Sequence, residues 1–427
     1  MRPWRWIGLG FGLLAVGAGC GEGTPSEGPP HLVLLIADDL GWGDTGFTGG
    51  DLPTPRLDAL ARESLVLERL YAAPLCSPSR AQLLTGKDGV RLGMLRNVLP
   101  GDAGGLPAGE VTLADRLGEA GYDTALVGKW HLGHASPTQH PGARGFRRSY
   151  GHLRGWVDYT THAIDGDRDW HRDGAALKEE GYATDLIAAE ALRVIAAHDP
   201  GRPLFLVVSF NAPHAPLHAA PGTTPGTDPR AQYASMVGAL DGAVGRVLDA
   251  LDEHGLAQDT LLWFLSDNGA NAKHGGSNAP LALGKYSCRE GGLRVPALVR
   301  WPARIAAGRS AAFVGAVDVA PTAESLAGLA PRAGLDGVDL SAVLTAGAPV
   351  PGRSLVFGVD WARVERRALL RPPLKLVRET RGDEVTEQLF DVVADPREER
   401  NLAAEREEDR RALSLALDAL LEGAARH

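Results

Sequence analysis

His31-Leu-Val-Leu-Leu-Ile-Ala-Asp-Asp39 decides the fold, because an unbroken apolar run leads directly into two adjacent carboxylates. A short run without polar alternation is typical of a β-strand that is buried on both faces, as the strands of a parallel sheet are. Three further runs of this kind follow, at residues 124–127, 204–210 and 260–265. Helical patterns occur at residues 54–70, 112–120, 184–197 and 233–254. This alternation predicts an α/β domain with a mostly parallel sheet flanked by helices.

Polar side chains follow each of the four predicted strands. They are Asp38 and Asp39 after the first, Lys129 and His131 after the second, Asn211 and His214 after the third, and Asp267 and Asn268 after the fourth. Strand ends are often polar, so one such pair would carry little weight. Because the carboxyl ends of strands in a doubly wound sheet open onto the ligand crevice, the recurrence in four strands predicts a functional site at one edge of the sheet.

Hard oxygen ligands dominate this set, in Asp38, Asp39, Asp267 and Asn268. Three carboxylates packed together repel one another in a low dielectric unless a cation compensates them. Ca²⁺ and Mg²⁺ prefer such all-oxygen sets. The alternative is structural, because Asp and Asn also cap helices and form turns. These residues alone are consistent with both readings.

A lone cysteine occurs in Leu75-Cys-Ser-Pro-Ser-Arg80. Ser77 before Pro78 is typical of a helix start, with Ser as the cap and Pro at the first helical position. Cys76 would then lie just ahead of a helix N-terminus, where unpaired N–H groups favour an anion. Arg80 could donate to tetrahedral oxygens through its forked guanidinium. A lone Cys is otherwise a buried inert thiol or a thiol nucleophile.

The spacing Cys76-x-Pro-x-Arg80, followed by Leu-Leu-Thr-Gly86, resembles the signature of the type I sulfatase family. Further segments resemble the family in order along the chain: Asp38-Asp-Leu-Gly-Trp-Gly-Asp44, Gly128-Lys-Trp-His-Leu-Gly133, Ala212-Pro-His214, Ser266-Asp-Asn-Gly269, Lys285 with Glu290-Gly-Gly, and residues 390–402. Residues 145–159 and 278–292 are most similar to the N-acetylgalactosamine-4-sulfatase (arylsulfatase B-like) branch.

The resemblance implies an alkaline-phosphatase-like fold and the hydrolysis of a sulfated carbohydrate or an aryl sulfate, as in glycosaminoglycan degradation. It also implies that a formylglycine-generating enzyme oxidises Cys76 to formylglycine, an aldehyde that is hydrated to a gem-diol. The cofactor implied is Ca²⁺ rather than Mg²⁺. Its expected ligands are Asp38, Asp39, Asp267, Asn268 and residue 76.

The resemblance implies catalytic roles for six residues and an additional role for the expected metal ligand Asp267. Residue 76 attacks sulfur, and Arg80, Lys129 and Lys285 neutralise the sulfate oxygens. His214, helped by Lys285, protonates the departing alcohol. His131 then takes a proton from the second hydroxyl, which expels sulfate and regenerates the aldehyde. Asp267 is expected to orient or deprotonate the attacking hydroxyl. Cys288 receives no role beyond that of a small buried apolar residue.

The N-terminus reads as an export signal. Residues 1–20 combine a short basic start, an apolar stretch and small residues ending in Cys20, which resembles a bacterial lipoprotein cleavage box. We expect a lipid anchor at Cys20, the only membrane attachment predicted, and location in the cell envelope or periplasm; ordinary cleavage with secretion is the alternative. Residues 21–30 are predicted to be a flexible tether, 31–345 the catalytic domain and 346–427 a small C-terminal α+β domain. In that domain, strands are expected at 354–357, 374–377 and 387–390 and a helix at 405–425.

Composition excludes several classes of protein. The 427 residues carry 44 Lys+Arg against 53 Asp+Glu, a net charge of −9, which argues against nucleic-acid binding. Three cysteines exclude a disulfide framework. Two other functions stay open: a phosphomonoester or phosphonate hydrolase on the same scaffold, and a surface glycan-binding protein in which Cys76 is unmodified.

Overall fold

The computed structural model describes Met1 and residues 28–424. The predicted signal, the lipidation site Cys20 and most of the tether lie outside the described residues. Within them, no helix is both long enough and apolar enough to span a bilayer. The strands are β1 His31–Ala37, β2 Leu65–Leu67, β3 Leu70–Tyr71, β4 Asp123–Lys129, β5 Arg148–His152, β6 Ala163–Ile164, β7 Asp167–Arg168, β8 His171–Arg172, β9 Ala175–Ala176, β10 Leu204–Ser209, β11 Thr260–Ser266, β12 Arg294–Val295, β13 Ala297–Arg300, β14 Gly308–Ser310, β15 Val314–Gly315, β16 Leu355–Trp361, β17 Val364–Arg371, β18 Leu374–Arg381 and β19 Glu384–Asp391.

The α-helices are α1 Pro55–Arg62, α2 Cys76–Thr85, α3 Leu113–Glu119, α4 Ala183–Ala196, α5 Pro229–Glu253, α6 Glu290–Leu293, α7 Val319–Leu326, α8 Ser341–Ala346 and α9 Glu407–Ala424. Short 3₁₀ turns lie at Trp42–Asp44, Gly46–Thr48, Pro137–Gln139, Pro141–Arg144, Ala257–Asp259, Ala272–His274 and Ala316–Asp318.

The main sheet has the strand order β14-β2-β13-β11-β1-β10-β4-β5-β8-β9. Its centre is parallel: β1 pairs in parallel with β10 and β11, β10 with β4, and β4 with β5. Antiparallel pairs occur toward both edges, at β11–β13 and at β5–β8. The predicted α/β class and the four predicted strands are therefore confirmed.

Helices cover both faces of this sheet, as the apolar pattern of β1 requires. Leu32, Leu34 and Ile36 enter one core with residues of α2, α3 and α7. Val33, Leu35 and Ala37 enter the other core with residues of α1, α4 and α5. Because successive side chains of a strand point to opposite faces, only a strand without polar alternation can serve two apolar cores.

A second, smaller sheet follows near the C-terminus. It is antiparallel with the order β16-β17-β18-β19. One face packs on α9 through Leu413 and Leu417. The other face packs on the large unit, where Phe357 and Phe390 share a core with Cys288. The small antiparallel unit is confirmed, whereas the boundary at residue 345 stays a prediction.

One local prediction was wrong, and one long strand was not predicted. The helix expected at residues 54–70 ends at Arg62, where the hydroxyl of Ser64 donates to the carbonyl of Leu60 at 2.7 Å. Residues Leu65–Leu67 extend instead beside β13, so sheet pairing overrides the helical period. The sequence also gave no indication of β17, in which charged side chains interrupt the apolar alternation.

Candidate active site

Four neighbouring strands bring their polar ends together. Because β11, β1, β10 and β4 are adjacent in the sheet and parallel, their carboxyl ends meet at one edge. The backbone ties these ends to one another: Asp267 N donates to Ala37 O at 3.0 Å and Asp38 N to Ala212 O at 3.1 Å. The predicted convergence of the strand ends is confirmed.

Cys76 is the first residue of α2, and Leu75 is its N-cap. The prediction that Ser77 caps this helix was wrong, because tertiary contacts use that hydroxyl. Ser77 Oγ donates to His131 O at 2.8 Å and accepts from Val98 N at 3.1 Å. The free N–H of Ser77 donates instead to Asn97 Oδ1 at 3.1 Å. The start of the helix is thus fixed directly beside His131.

The thiol of Cys76 is fully buried among charged groups. Its Sγ lies 3.3 Å from Asp38 Oδ1, 3.9 Å from Asp39 Oδ1 and 3.3 Å from Lys285 Nζ. Burial, followed by Asp267 and Asp38, raises the pKa of this thiol well above its usual value. A thiolate nucleophile needs a lowered pKa, so the surroundings of Cys76 disfavour direct thiol catalysis.

Each carboxylate of the site is paired with a side-chain cation. Lys129 Nζ lies 2.6 Å from Asp38 Oδ2, and Lys285 Nζ lies 2.6 Å from Asp39 Oδ1. The third pair joins Arg80 Nη2 to Asp267 Oδ2 at 2.9 Å. All six residues are at most 8% exposed. Side-chain cations therefore already offset the mutual repulsion of the acids, since the cluster holds three positive and three negative side chains.

These pairs shift the ionisation of the acids in opposite directions. Burial alone would raise the pKa of Asp39, but Lys285 and His214 outweigh it and hold that pKa below its usual range. Burial and the nearby Asp38 raise the pKa of Asp267, against the attraction of Arg80. Asp39 is therefore firmly ionised, whereas Asp267 holds a proton more readily.

Arg80 is held by a nearly complete set of hydrogen bonds. Its Nε and Nη2 donate to Asp267 Oδ2 at 3.1 and 2.9 Å, and its Nη1 donates to Lys129 O at 2.9 Å and also to Ser209 Oγ. A guanidinium has five N–H groups, so a single one is left for another acceptor. Arg80 thus fixes Asp267 and the end of β4 as well as contributing positive charge.

The acids of the site fit a hard cation. Ligand atoms of Asp38, Asp39, Cys76 and His214 all lie within 4.8 Å of one another. Asn268 Nδ2 donates to Asp39 Oδ1 at 2.6 Å, while the buried Asn268 Oδ1 has no hydrogen-bond partner. A buried amide oxygen without a partner is costly, and it is a typical Ca²⁺ ligand. Asp267 lies alongside, where its Oδ1 accepts from the backbone N of Asp39 at 3.3 Å.

The hydrogen bonds of His131 distinguish its two ring nitrogens. Nε2 lies 3.1 Å from Val98 O, and a carbonyl can only accept, so Nε2 carries the proton in the neutral ring. The buried Nδ1 has no hydrogen-bond partner and keeps a free lone pair. Burial, followed by Lys129, lowers the pKa of His131 well below its usual value. His131 is therefore neutral and able to accept a proton at Nδ1.

His214 is a second histidine of the site and lies beside Asp39. Its Nε2 is 3.7 Å from Asp39 Oδ2, and its Nδ1 contacts the carbonyl of Ala215. Tyr159 Oη donates to the carbonyl of His214 at 2.9 Å and so fixes this loop. Burial and Lys285 lower the pKa of His214 to about 3, against Asp39. An anion bound nearby would oppose that shift.

A cavity of about 340 Å³ opens above these groups. His131, His214 and Lys285 line it. Its remaining lining comprises Asn97, Val98, Leu99, Pro100, Gly155, Trp156, Ala215, Pro216, His274, Tyr286 and Trp361. A larger cavity of about 820 Å³ borders residues 343 and 347–355, shares no lining residue with it and offers no carboxylate, His or Cys. The smaller cavity is therefore the one that reaches the candidate catalytic residues His131, His214 and Lys285.

Several contributors were not found from the sequence. Asn97, Val98 and Ser209 contact the site residues through hydrogen bonds that no sequence motif indicates. Trp361 reaches the cavity from the small C-terminal sheet, far along the chain. One sequence signal for the cavity wall was available, since Tyr286 directly follows the predicted site residue Lys285.

A buried ion cluster anchors the segment that carries Lys285. Lys375 Nζ, from the C-terminal sheet, lies 2.6 Å from Glu290 Oε1 and 3.0 Å from Glu398 Oε1. Burial alone would lower the pKa of Lys375, but Glu290 and Glu398 outweigh it and raise that pKa. Glu290 is fixed further, since its N–H donates to Glu398 Oε2 at 2.7 Å. The cluster joins the two units directly behind the site.

We expect Lys375→Met to destabilise the protein by about 3 kcal/mol, because it removes the buried cation that Glu290 and Glu398 share. Glu398 then keeps Arg289 at 3.1 Å, and Glu290 keeps Arg294 at 3.9 Å. Lys273→Met is the matched control: Lys273 is exposed, and its free energy of unfolding should change by less than about 0.5 kcal/mol. Urea unfolding of both variants measures the difference. Equal stability of the two variants would contradict a role for the cluster.

Comparisons with known proteins agree with this geometry. The family model described as Sulfatase matches residues 30–329. The chain is 38% identical over 369 residues to N-acetylgalactosamine-6-sulfatase of Canis lupus familiaris, covering 79% of this chain and 70% of that protein. It is 37% identical over 371 residues to arylsulfatase A of Bos taurus, covering 78% and 71%.

Solved structures give the same result. The crystal structure of Ps i-CgsB in complex with k-i-k-neocarrahexaose is similar with a TM-score of 0.85 and 30% identity, covering 92% of this chain and 93% of that one. The PsFucS1 sulfatase from Pseudoalteromonas sp. is similar with a TM-score of 0.78 and 26% identity, covering 92% and 90%. The similarity to the N-acetylgalactosamine-4-sulfatase branch in particular stays a prediction.

Proposed function

The chain belongs to the sulfatase family and is a sulfuric ester hydrolase, and on this basis we propose that it removes sulfate from a sulfated carbohydrate through a formylglycine at position 76. The observation that carries the proposal is the position of Cys76 Sγ, 3.3 Å from both Asp38 Oδ1 and Lys285 Nζ. N-acetylgalactosamine sulfates and carrageenan oligosaccharides are the first substrates to test, since one similar protein is named N-acetylgalactosamine-6-sulfatase and another was solved in complex with k-i-k-neocarrahexaose.

The modified residue and the ion would supply what the encoded side chains lack. When hydrated, formylglycine would supply a hydroxyl nucleophile and a second hydroxyl, whose deprotonation allows the C–O bond to the sulfate to break as the aldehyde forms again. Ca²⁺ would be held by Asp38, Asp39, Asp267 and Asn268 together with residue 76, and it supplies Lewis-acid polarisation of a sulfate oxygen. The unpartnered Asn268 Oδ1 and the ionised Asp39 support this ligand set.

The chain's own cations bind and orient the sulfate group. Lys129 and Lys285 are buried beside Asp38 and Asp39, and Arg80 keeps one N–H free. With three acids and three bases in the cluster, a divalent ion makes the site net positive, which favours an anionic sulfate ester. Fixed charges in a dry site need little reorganisation during the reaction, so they stabilise the developing negative charge efficiently.

Two histidines that line the cavity move protons, His131 and His214. His214 Nε2 donates a proton to the departing alcohol oxygen, helped by Lys285, and the bound sulfate anion raises its pKa toward the working range. His131 accepts a proton at Nδ1, because Val98 O holds the Nε2 proton. That proton comes from the hydroxyl of residue 76 that does not carry the sulfate, and its loss accompanies the expulsion of sulfate.

Maturation and location belong to the same proposal. A formylglycine-generating enzyme is the required partner, because the encoded residue is Cys. Export rests on the sequence of residues 1–20, and attachment to a membrane rests on lipidation of Cys20.

We expect the protein, co-expressed with a formylglycine-generating enzyme, to hydrolyse 4-nitrophenyl sulfate faster than 4-nitrophenyl phosphate. Peptide mass spectrometry should find residue 76 as the aldehyde, and at least one sugar sulfate of the panel should lose sulfate. Faster turnover of the phosphate would instead favour the phosphomonoesterase alternative. An inactive protein in which residue 76 stays a thiol despite co-expression would favour a glycan-binding role.

A further inference from the structure

Trp361 is an exposed indole beside the catalytic cavity. Among the Phe, Trp and Tyr residues in the described ranges, it is the one in the exposed class, with 43% of its surface accessible. It ends β16 and lines the same cavity as His131, His214 and Lys285. An exposed aromatic side chain that lines a cavity is available to contact a ligand bound there.

Tyr286 lies against Trp361. The two rings stack with centroids 4.3 Å apart and planes inclined by 21°. Tyr286 also follows Lys285, whose Nζ lies 5.6 Å from the Tyr286 ring centroid and 3.3 Å from Cys76 Sγ. Tyr286 therefore lies near the reacting groups around Cys76, and both aromatic rings line the cavity.

The backbone around both rings is held in the left-handed region. Tyr286 has a φ of 72°, and its N–H donates to Pro74 O at 3.1 Å. Ala362 and Arg363, which form the two-residue turn after Trp361, have φ of 53° and 61°. Such φ values cost roughly 1 kcal/mol or more for residues other than glycine. A relaxed turn would carry Asn-Gly, so the fold maintains a strained hairpin tip at the cavity.

We propose that Tyr286 and Trp361 form a stacking platform for the pyranose ring that carries the sulfate, an inference that rests on the proposed sulfatase function. The C–H face of a pyranose is apolar and packs on aromatic faces, while its hydroxyls need polar partners. Asn97 lines the same cavity and accepts from Ser77 N through Oδ1, which leaves its Nδ2 hydrogens to donate to such a hydroxyl.

The platform also gives the C-terminal sheet a part in substrate choice. Trp361 pairs with Val364 at the tip of the β16–β17 hairpin, so the small unit completes a cavity whose reactive groups come from the large unit. The cavity volume of about 340 Å³ lies near the lower limit for ligand sites, which suits one sugar ring.

The test compares a ligand that has a sugar ring with one that has none. The sugar sulfate is the best substrate among N-acetylgalactosamine 4-sulfate, N-acetylgalactosamine 6-sulfate and a carrageenan oligosaccharide. Trp361→Ala should raise KM for it by about ten- to a hundredfold, the scale of the loss when an aromatic side chain that stacks on a nucleobase is replaced by alanine. The inhibition constant of inorganic sulfate, measured with 4-nitrophenyl sulfate as reporter, should stay within about twofold, because that ion lacks the ring. Trp361→Phe should restore most of the affinity. Leu415→Ala, on the exposed face of α9, is the surface control.

The outcomes separate the platform from the sulfatase function. A Trp361→Ala enzyme with unchanged KM for the sugar sulfate would overturn the platform and leave the sulfatase function intact. Equal weakening of sugar sulfate and inorganic sulfate would also overturn it, since it would indicate general damage to the cavity. If the wild type hydrolyses aryl sulfate but none of the sugars, the platform has no pyranose to hold and is overturned. If the wild type hydrolyses no sulfate ester at all, the proposed function itself fails.

Discussion

Replacing Cys76 with Ala should reduce aryl-sulfate hydrolysis by roughly 10⁴-fold or more, the scale seen when an enzyme loses its nucleophile. The variant should still fold, because Lys285 keeps its partner Asp39 when the thiol is removed. Cys76→Ser is expected to be as inactive as Cys76→Ala in a host whose maturation enzyme accepts only Cys. A serine sulfate ester has no second hydroxyl on the same carbon, so no deprotonation can expel the sulfate. Steady-state kinetics with 4-nitrophenyl sulfate and a thermal unfolding curve check both statements.

Cys288→Ala provides the matched control for this experiment. Cys288 is also fully buried, but it packs among apolar residues at the junction with the C-terminal sheet. Burial raises its pKa to about 12, so it is an inert thiol. We expect a loss of about 1 kcal/mol in stability and an unchanged kcat. A Cys76→Ala enzyme that keeps a tenth of the wild-type activity, or a Cys288→Ala enzyme that loses all of it, would contradict the assignment of the nucleophile.

The fold was predictable where one physical signal dominated. The apolar run before Asp38 had to be a doubly buried strand, and its side chains do divide between two cores. The prediction failed where two signals competed. Leu65–Leu67 continue the helical period of α1, but pairing with β13 offers more burial than another helical turn. The strand β17 is hidden because it carries Arg366 and Arg367 in the small C-terminal sheet.

The candidate site was predictable at the level of residue types and not at the level of contacts. Strand ends identified Asp38, Lys129, His214 and Asp267, because adjacent parallel strands must end side by side. Their pairing could not be read from the chain, since each carboxylate meets a cation from a distant segment. Trp361 illustrates the same limit, because it enters the cavity only through the docking of a second sheet whose position no local pattern encodes.

Removal of the metal ion should lower sulfatase activity by at least about a hundredfold, and Ca²⁺ should restore it. The reason lies in the charge of the cluster, in which Lys129, Lys285 and Arg80 already balance three acids. Without the ion the site is close to neutral and attracts a sulfate ester weakly. Because the acids keep their internal partners, the chelated protein should stay folded. Addition of Ca²⁺ at 100 times its Kd should stabilise it by about 2.7 kcal/mol.

Asn268 makes the ion prediction specific to this site. Asn268→Ala removes the buried oxygen that has no hydrogen-bond partner, so the Ca²⁺ concentration for half-maximal activity should rise by about ten- to a hundredfold. Asn401→Ala is the matched control, because its Oδ1 accepts from Leu389 N in the C-terminal unit at 3.0 Å. That variant should lose stability and keep its Ca²⁺ response. Full activity after exhaustive chelation, or an unchanged Ca²⁺ requirement in Asn268→Ala, would show that these acids serve their paired cations alone and hold no ion.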